Sequence, residues 1–378
     1  MKKIRVLYAM DDPIEEEKKY ILAGNEYPKT YLWWDFTDSY PEYELVFINN
    51  NKPRKGFLKF IEKITGFRNI PYQIDVIRKH KEYDVIFGSL DYYFFIVLFL
   101  RYLKVLKKPI FGYSHHSFNY KISTDKWYYK LRLRFLYHFG IKGVDYLCFN
   151  GETAYNKACE IHKFNKKNPI YYWGVDFDFY NNYQVQTNDD NFYFMTAGSA
   201  GRDYRLLINV FEELPYQLKI YQKLDDLGFE IDTIPENIIF NVKEKKEFQG
   251  FAGHVTLRKA YKESFAVIIA LDKQHDGPMG ITTLYEALAC GKPVIVTDNI
   301  IFPIDVEKEG VGIKVAYGDK EGWIKAINYL VTNKNIAKKM GEKAYEFSKT
   351  KRNYSLYKKD MLKNFDTFIQ EYYIPKKI

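Results

Sequence analysis

Residues 275–298, His-Asp-Gly-Pro-Met-Gly-Ile-Thr-Thr-Leu-Tyr-Glu-Ala-Leu-Ala-Cys-Gly-Lys-Pro-Val-Ile-Val-Thr-Asp, gather groups that could do chemistry together. A glycine-broken loop leads into an apolar-periodic helix from about Thr282 to Cys290, a Gly-Lys-Pro stop and a short apolar strand, Val294 to Thr297. A helix start presents unpaired N–H groups and the positive end of the macrodipole, so Gly280, Ile281, Thr282 and Thr283 could hold a phosphate. Glu286 follows one turn later on the same face, where an acceptor-only carboxylate suits two hydroxyls of a ribose. Phosphate and ribose together mean a nucleotide. The plainer alternative is a strand-loop-helix unit of the kind that recurs in α/β proteins with nothing bound.

Residues 198–208, Gly-Ser-Ala-Gly-Arg-Asp-Tyr-Arg-Leu-Leu-Ile, follow another apolar run and open another helix. Small residues such as Gly198 let backbone approach a ligand, and Arg202 or Arg205 could neutralise a phosphate, unless they are simply solvated at a helix start. His115 and His116 end a predicted strand, at the edge where open α/β sheets place their sites; loop or core residues are the alternative. Asp11 and Asp12 follow the first strand and read as a polar loop or as acceptor-site groups. Asp176-Phe177-Asp178 has the D-x-D spacing of a divalent-cation site, but two carboxylates supply too few oxygens for a hard cation. Residues 127–139 mix aromatic and basic side chains at helical spacing, which fits a surface helix or one lying on an anionic bilayer. No nucleic-acid recognition motif is present.

The elements that would position these groups alternate in type. Strands are expected at Ile4 to Ala9, Leu45 to Ile48, Val85 to Gly88, Ile110 to Tyr113 and Tyr146 to Phe149, with helices near Phe57 to Thr65, Pro71 to His80, Tyr92 to Leu106, Asp125 to Phe139 and Glu152 to Ile161. A charged, Asn-rich stretch sets a domain boundary around residues 178 to 190. The second half repeats the alternation, with strands near Phe192 to Thr196, Gln217 to Tyr221, Ile238 to Asn241, Phe265 to Ala270, Val294 to Thr297 and Gly312 to Val315, then helices to about Ile374. Such alternation predicts two Rossmann-like halves built on parallel sheets.

Composition narrows the class. A length of 378 residues with 47% hydrophobic content allows two globular domains, and the net charge of +9 suits nucleic acid, an anionic membrane or phosphorylated small molecules without choosing among them. Cys148, Cys159 and Cys290 lack metal-ligand spacing and read as reduced residues of a cytoplasmic protein. The apolar run at the N-terminus is too short for a signal peptide, and Tyr92 to Leu100 is too short for a membrane span.

The segment GITTLYEALACGKPVIVTD, residues 280–298, strongly resembles the donor-binding segment of the group 1 family of retaining glycosyltransferases, and 174–176, Gly-Val-Asp, resembles its interdomain segment, which binds no metal. The resemblance implies a GT-B fold: two Rossmann-like domains with a cleft between them and a C-terminal helix crossing back to the N-terminal domain. It assigns residues 1–178 to acceptor binding, 190–350 to nucleotide-sugar binding and 351–378 to the helical strap. Glu286 would bind the donor ribose; Gly198 and the 280–283 loop would line the diphosphate. Arg202 stands where the family has a pyrophosphate-binding lysine, with Arg205 as the alternative, and His116 or His115 would face the donor sugar. One departure matters: the acidic residue the family carries eight positions before the ribose glutamate is Pro278 here, with Asp276 the candidate substitute.

The implied activity is retaining transfer of a sugar from a nucleotide-diphosphate sugar to a glycan, lipid-linked or other hydroxyl acceptor, in polysaccharide or glycoconjugate biosynthesis. No cofactor, metal or nucleic acid is expected, and the implied location is cytoplasmic, peripheral on the inner face of a membrane. Pro278 keeps a second reading open, a catalytically weak nucleotide-sugar-binding or assembly protein on the same fold. The charge of +9 with residues 127–139 keeps a third, a basic membrane- or nucleic-acid-associated protein.

Overall fold

The computed structural model describes residues 3–9, 14–30, 40–48, 56–65, 69–89, 94–122, 124–163, 169–183, 192–222, 227, 234–241 and 253–374. The chain divides into two compact units: Met1–Leu22, Tyr31–Tyr172 and Lys358–Ile378 form the first, and Ala23–Thr30 with Trp173–Tyr357 form the second.

In the first unit the order is β1 (Ile4–Ala9), α1 (Ile14–Leu22), β2 (Tyr43–Val46), α2 (Phe57–Thr65), α3 (Ile70–Arg78), β3 (Val85–Ser89), α4 (Phe95–Tyr102), β4 (Ile110–Ser114), α5 (Trp127–Lys142), β5 (Tyr146–Asn150), α6 (Glu152–His162) and β6 (Ile170–Tyr171). The strands pair in parallel as a six-stranded sheet, β2-β1-β3-β4-β5-β6. Val85, Ile86, Phe87, Ile110 and Phe111 are completely buried, as expected for parallel strands covered on both faces by crossover helices. The helix expected over 92–106 is described from Phe95 to Tyr102 and stops where Lys104 adopts φ +59°, a left-handed turn that the unbroken apolar run does not announce. Helix α5 buries Leu133, Leu136, Tyr137 and Gly140 but leaves Trp127 75%, Leu131 62% and Phe135 54% exposed.

The second unit runs α7 (Phe177–Asn181), β7 (Tyr193–Ala197), α8 (Tyr204–Phe211), β8 (Gln217–Tyr221), β9 (Ile238–Phe240), α9 (His254–Glu263), β10 (Ala266–Ile269), α10 (Ile281–Ala289), β11 (Val294–Thr297), β12 (Gly312–Val315), α11 (Lys320–Thr332) and α12 (Lys334–Lys351). Its six strands are also parallel, in the order β12-β11-β10-β7-β8-β9. Helix α10 is buried from Thr283 through Ala289, so its apolar residues Leu284, Tyr285, Ala287 and Leu288 form part of the core. Asp176 caps α7 through Phe179 N–H at 3.2 Å and accepts from Lys29 N–H at 2.8 Å. Both oxygens of this first member of the D-x-D pattern are thereby engaged by backbone N–H groups, one local and one from a distant segment.

Helix α13 (Tyr354–Phe368) ends in a π-turn over Ile369–Tyr373. From Lys358 onward it belongs to the first unit, where Phe365 lies edge-on to Phe87 at 5.5 Å and Phe111 at 5.4 Å, Phe368 meets Phe111 at 5.6 Å, and Tyr43 donates to Asp366 at 2.9 Å. Two six-stranded parallel sheets, each with its helices, are the two Rossmann-like halves predicted from the alternation. Among the described residues, no helix is long and apolar enough to cross a membrane.

Candidate functional site

Strand order decides where a crevice opens. In the second sheet β7 connects onward to β8 on one side while β10 pairs with it on the other, so the chain reverses its direction of winding between β7 and β10. Loops leaving the carboxyl ends of such a pair diverge to opposite faces and leave room for a ligand. The two loops here are residues 198–203 and 271–280, both singled out by their glycines and charges.

Backbone bonds join these loops. Arg202 and Leu271 form an antiparallel bridge, Asp203 N–H donates to Ala270 at 3.0 Å and Asp272 N–H to Gly201 at 3.1 Å. The Arg202 guanidinium then folds inward: Nε donates to the Ala197 carbonyl at 3.0 Å, Nη1 to Ala200 at 3.2 Å, and Nη2 to Thr283 Oγ1 at 3.1 Å on α10. A single cation thus spans the first loop and the start of the helix after the second. Burial lowers its pKa from 12.5, but a guanidinium stays protonated in proteins, and no carboxylate among the described residues pairs with it. Its partners are dipoles, so a full positive charge stays concentrated at the crevice.

Two glycines make room for that charge. Gly198, at φ +102°, would put a Cβ 2.7 Å from Arg202 Nη2, and Gly280, at φ +90°, would put one 2.6 Å from Ile269 Cγ2 and 3.4 Å from Arg202 Nη1. Gly280 is also the N-cap of α10 and supplies no side chain to cap it; Ile281 N–H is taken by the Pro278 carbonyl, so donation toward an anion falls to the next amides, those of Thr282 and Thr283. Ile281 is half-buried, Thr282 is exposed, and Thr283 is buried with its hydroxyl between Arg202 and the Ala197 carbonyl. Arg205, on α8, is exposed.

Glu286 is only 4% exposed. Tyr180 of α7 donates to its Oε1 at 2.5 Å and Tyr261 of α9 to its Oε2 at 2.8 Å. Burial pushes the carboxyl up to about 7, against the opposing pull of the two tyrosine donors, and burial beside this carboxylate drives both tyrosines well above their usual range. Neither tyrosine was marked by sequence; they stand 106 and 25 positions from Glu286, and no local spacing ties them to it. Pro278 is buried and its carbonyl receives Ile281 N–H at 3.0 Å, while Asp276, the candidate substitute for the missing acid, is 5% exposed. Asn299, just past the end of β11, holds this loop, donating to Gly277 at 3.3 Å and accepting from Gln274 at 2.9 Å.

In the first unit, His115 and His116 follow β4. Asn150 donates to His115 Nδ1 at 3.0 Å, with Tyr171 Oη 3.4 Å away, so Nδ1 acts as acceptor and the proton of the neutral ring sits on Nε2. His116 N–H donates to Ser114 Oγ at 3.0 Å. Asp11 and Asp12 lie outside the described residues. The structure thus brings Gly198, Arg202, Gly280 and Thr283 together directly, with Glu286 one turn further along the same helix. No group of three or more His, Cys, Asp or Glu among the described residues is placed to hold a metal ion.

Comparison with known proteins bears on this arrangement. A sequence search of curated proteins returns no match. Among solved structures, the chain is similar to sucrose-phosphate synthase from Thermosynechococcus elongatus (TM-score 0.68, 14% identity, covering 98% of this chain and 100% of that one). It is similar also to HepE from Anabaena in complex with UDP and glucose (TM-score 0.65, 12% identity, 96% and 100%). A third is WaaG, a glycosyltransferase involved in lipopolysaccharide biosynthesis (TM-score 0.58, 14% identity, 94% and 98%). At these identities the likeness is one of fold, the GT-B fold of two α/β domains. Residues 184–347, which contain both glycine loops, Arg202 and Glu286, match the model of glycosyl transferases group 1. Over that segment, less than half of its length, the chain is similar to the glycosyl transferases group 1 family.

Proposed function

We propose that this chain transfers a sugar from a nucleotide-diphosphate sugar to a hydroxyl acceptor, with the donor held by the second unit and the acceptor by the first. The observation that carries the proposal is Arg202, an arginine with no carboxylate partner among the described residues, lodged between a glycine loop and the uncapped start of α10. Departure of a nucleoside diphosphate builds negative charge on its oxygens. A fixed guanidinium and a helix dipole, already oriented, stabilise that charge without reorganising during the reaction. This is leaving-group assistance by the chain's own groups, with no resident metal.

In this reading Gly198, Gly280, Ile281, Thr282 and Thr283 line the diphosphate, Arg205 is a second cation at its edge, and Glu286 takes the ribose. Asp276 stands in for the acid replaced by Pro278, and His116 or His115 hydrogen-bonds sugar hydroxyls. Transfer goes with retention by front-face attack, the leaving oxygen taking the acceptor's proton. A glycan or lipid-linked acceptor, for polysaccharide or glycoconjugate synthesis, is supported by the exposed stripe of Trp127, Leu131 and Phe135 among Lys126, Lys130 and Arg134, which suits a helix seated on an anionic bilayer. The alternative, a binding protein without turnover, draws on Pro278 at the sugar end of the loop.

A thermal-shift panel of UDP, GDP, ADP and CMP tests the donor site, since a ligand that binds the folded chain raises its melting temperature by mass action. The UDP complex of HepE makes UDP the first probe. The sugar forms of the winning nucleotide, offered with and without acceptors, then separate transferase from binding protein: release of nucleoside diphosphate supports transfer, and tight binding with no release supports the alternative.

A further inference from the structure

The Glu286 carboxylate is held from two sides by tyrosine hydroxyls, one of which, that of Tyr261, also bonds Thr283 at the start of the same helix. Tyr180 comes from α7, Tyr261 from α9 and Glu286 from α10; the two rings are fully buried, 6.4 Å apart, and each gives its hydroxyl to a different carboxylate oxygen. An ionised carboxylate has about four acceptor directions, two on each oxygen. One tyrosine per oxygen consumes half of them and fixes the plane of the other half. We propose that Tyr180 and Tyr261 are positioning residues for the donor, clamping Glu286 so that the remaining lone pair on each oxygen meets one hydroxyl of a vicinal diol, the 2′- and 3′-hydroxyls of a ribose.

The geometry favours this over a role in packing alone. A packed tyrosine pair could bond anywhere on a carboxylate, but the 2.5 and 2.8 Å bonds divide symmetrically between Oε1 and Oε2, which leaves both oxygens equally able to accept. Two rigid rings arriving from separate helices hold a flexible three-torsion side chain in one rotamer before any ligand comes, which is preorganisation of a binding group. Among the described residues, the groups bearing on the carboxylate are the two hydroxyls and, less directly, the buried Cys290 thiol, with no cation taking part. Tyrosine donation therefore offsets part of the upward push of burial and enlarges the ionised fraction, the form that accepts the diol.

The inference rests on the donor-site reading above, and the experiment separates the two. Calorimetry on the full chain compares UDP, GDP and ADP with their 2′,3′-dideoxy counterparts between pH 6 and 9, for the wild type, Tyr180→Phe and Tyr261→Phe. The wild type should bind one ribonucleotide roughly tenfold or more tightly than its dideoxy form, the range of a charge-assisted hydrogen bond. Each phenylalanine variant should keep the dideoxy affinity, lose most of the ribose preference and move the pH midpoint of that preference upward. Variants that retain the wild-type preference and midpoint overturn the clamp while leaving the donor site standing. A wild type that binds ribonucleotide and dideoxynucleotide equally removes Glu286 as the ribose ligand and the clamp with it, and one that binds neither removes the donor site as a whole.

Discussion

Replacing Arg202 by alanine isolates the charge at the crevice. The side chain makes three hydrogen bonds, to the Ala197 and Ala200 carbonyls and to Thr283 Oγ1, so its removal has a stability cost and a binding cost that can be told apart. Ala197 keeps the Thr283 hydroxyl as a donor at 3.4 Å, which leaves the Ala200 carbonyl and one bond of Thr283 uncompensated. Such losses destabilise by about 1–3 kcal/mol, visible as an earlier thermal midpoint. For binding, a hydrogen bond to a charged group contributes about 1.5–3 kcal/mol, which is roughly 10- to 150-fold in the Kd of a nucleoside diphosphate. Arg202→Lys keeps the charge but cannot reach two carbonyls and a hydroxyl at once, so it should fall between alanine and wild type. Isothermal calorimetry at two salt concentrations reads both effects, because a lost phosphate–guanidinium pair also flattens the salt dependence. A folded Arg202→Ala protein that binds diphosphate as tightly as wild type refutes the assignment of this cation to the donor.

Three other perturbations test the same structure. Gly198→Ala places a Cβ at φ +102° and 2.7 Å from the Arg202 guanidinium, so it should destabilise by about 1–3 kcal/mol and weaken diphosphate binding, whereas an unchanged calorimetric Kd would mean that Arg202 can move without loss. Glu286 has its folded-state pKa raised from 4.5 to about 7, so between those values the folded chain binds more protons here than the unfolded chain; the stability from this site falls as pH rises through the window, by up to about 3 kcal/mol. Glu286→Gln should remove that slope, measured as the difference between wild-type and variant unfolding midpoints from pH 4.5 to 8. Changing Trp127, Leu131 and Phe135 together to serine should lower co-sedimentation with vesicles containing anionic phosphatidylglycerol while leaving the melting temperature nearly unchanged, since all three are more than half exposed.

What the sequence made legible follows from the range of the forces involved. Strands such as Val294–Thr297 and Ile110–Ser114 announce themselves because a parallel strand buried on both faces must be apolar throughout. The nearness of the two glycine loops follows from strand order, and Arg202 and Gly280 were both marked by residue type. The docking of Arg202 on carbonyls was not readable, since any residue supplies a carbonyl and composition carries no trace of it. Tyr180 and Tyr261 escaped for a different reason: in a chain with 35 tyrosines, the two whose hydroxyls reach Glu286 look like all the others until the helices carrying them are packed. The end of α4 was missed because Lys104 turns left-handed inside an apolar run, a position more often filled by glycine or asparagine.

The return of the last helix bears on how the chain is made. Phe365 and Phe368 cover the face of the first sheet at Phe87 and Phe111, yet they follow the long segment Trp173–Tyr357 of the second unit in the chain. During synthesis, therefore, the first unit emerges with every one of its strands but without the aromatic lid that keeps water from this face. The second unit, Ala23–Thr30 and Trp173–Tyr357, is translated in full before that lid appears. The growing chain consequently carries a sticky, half-finished sheet while the second unit is being made, and a chain cut before Phe365 would leave that surface bare.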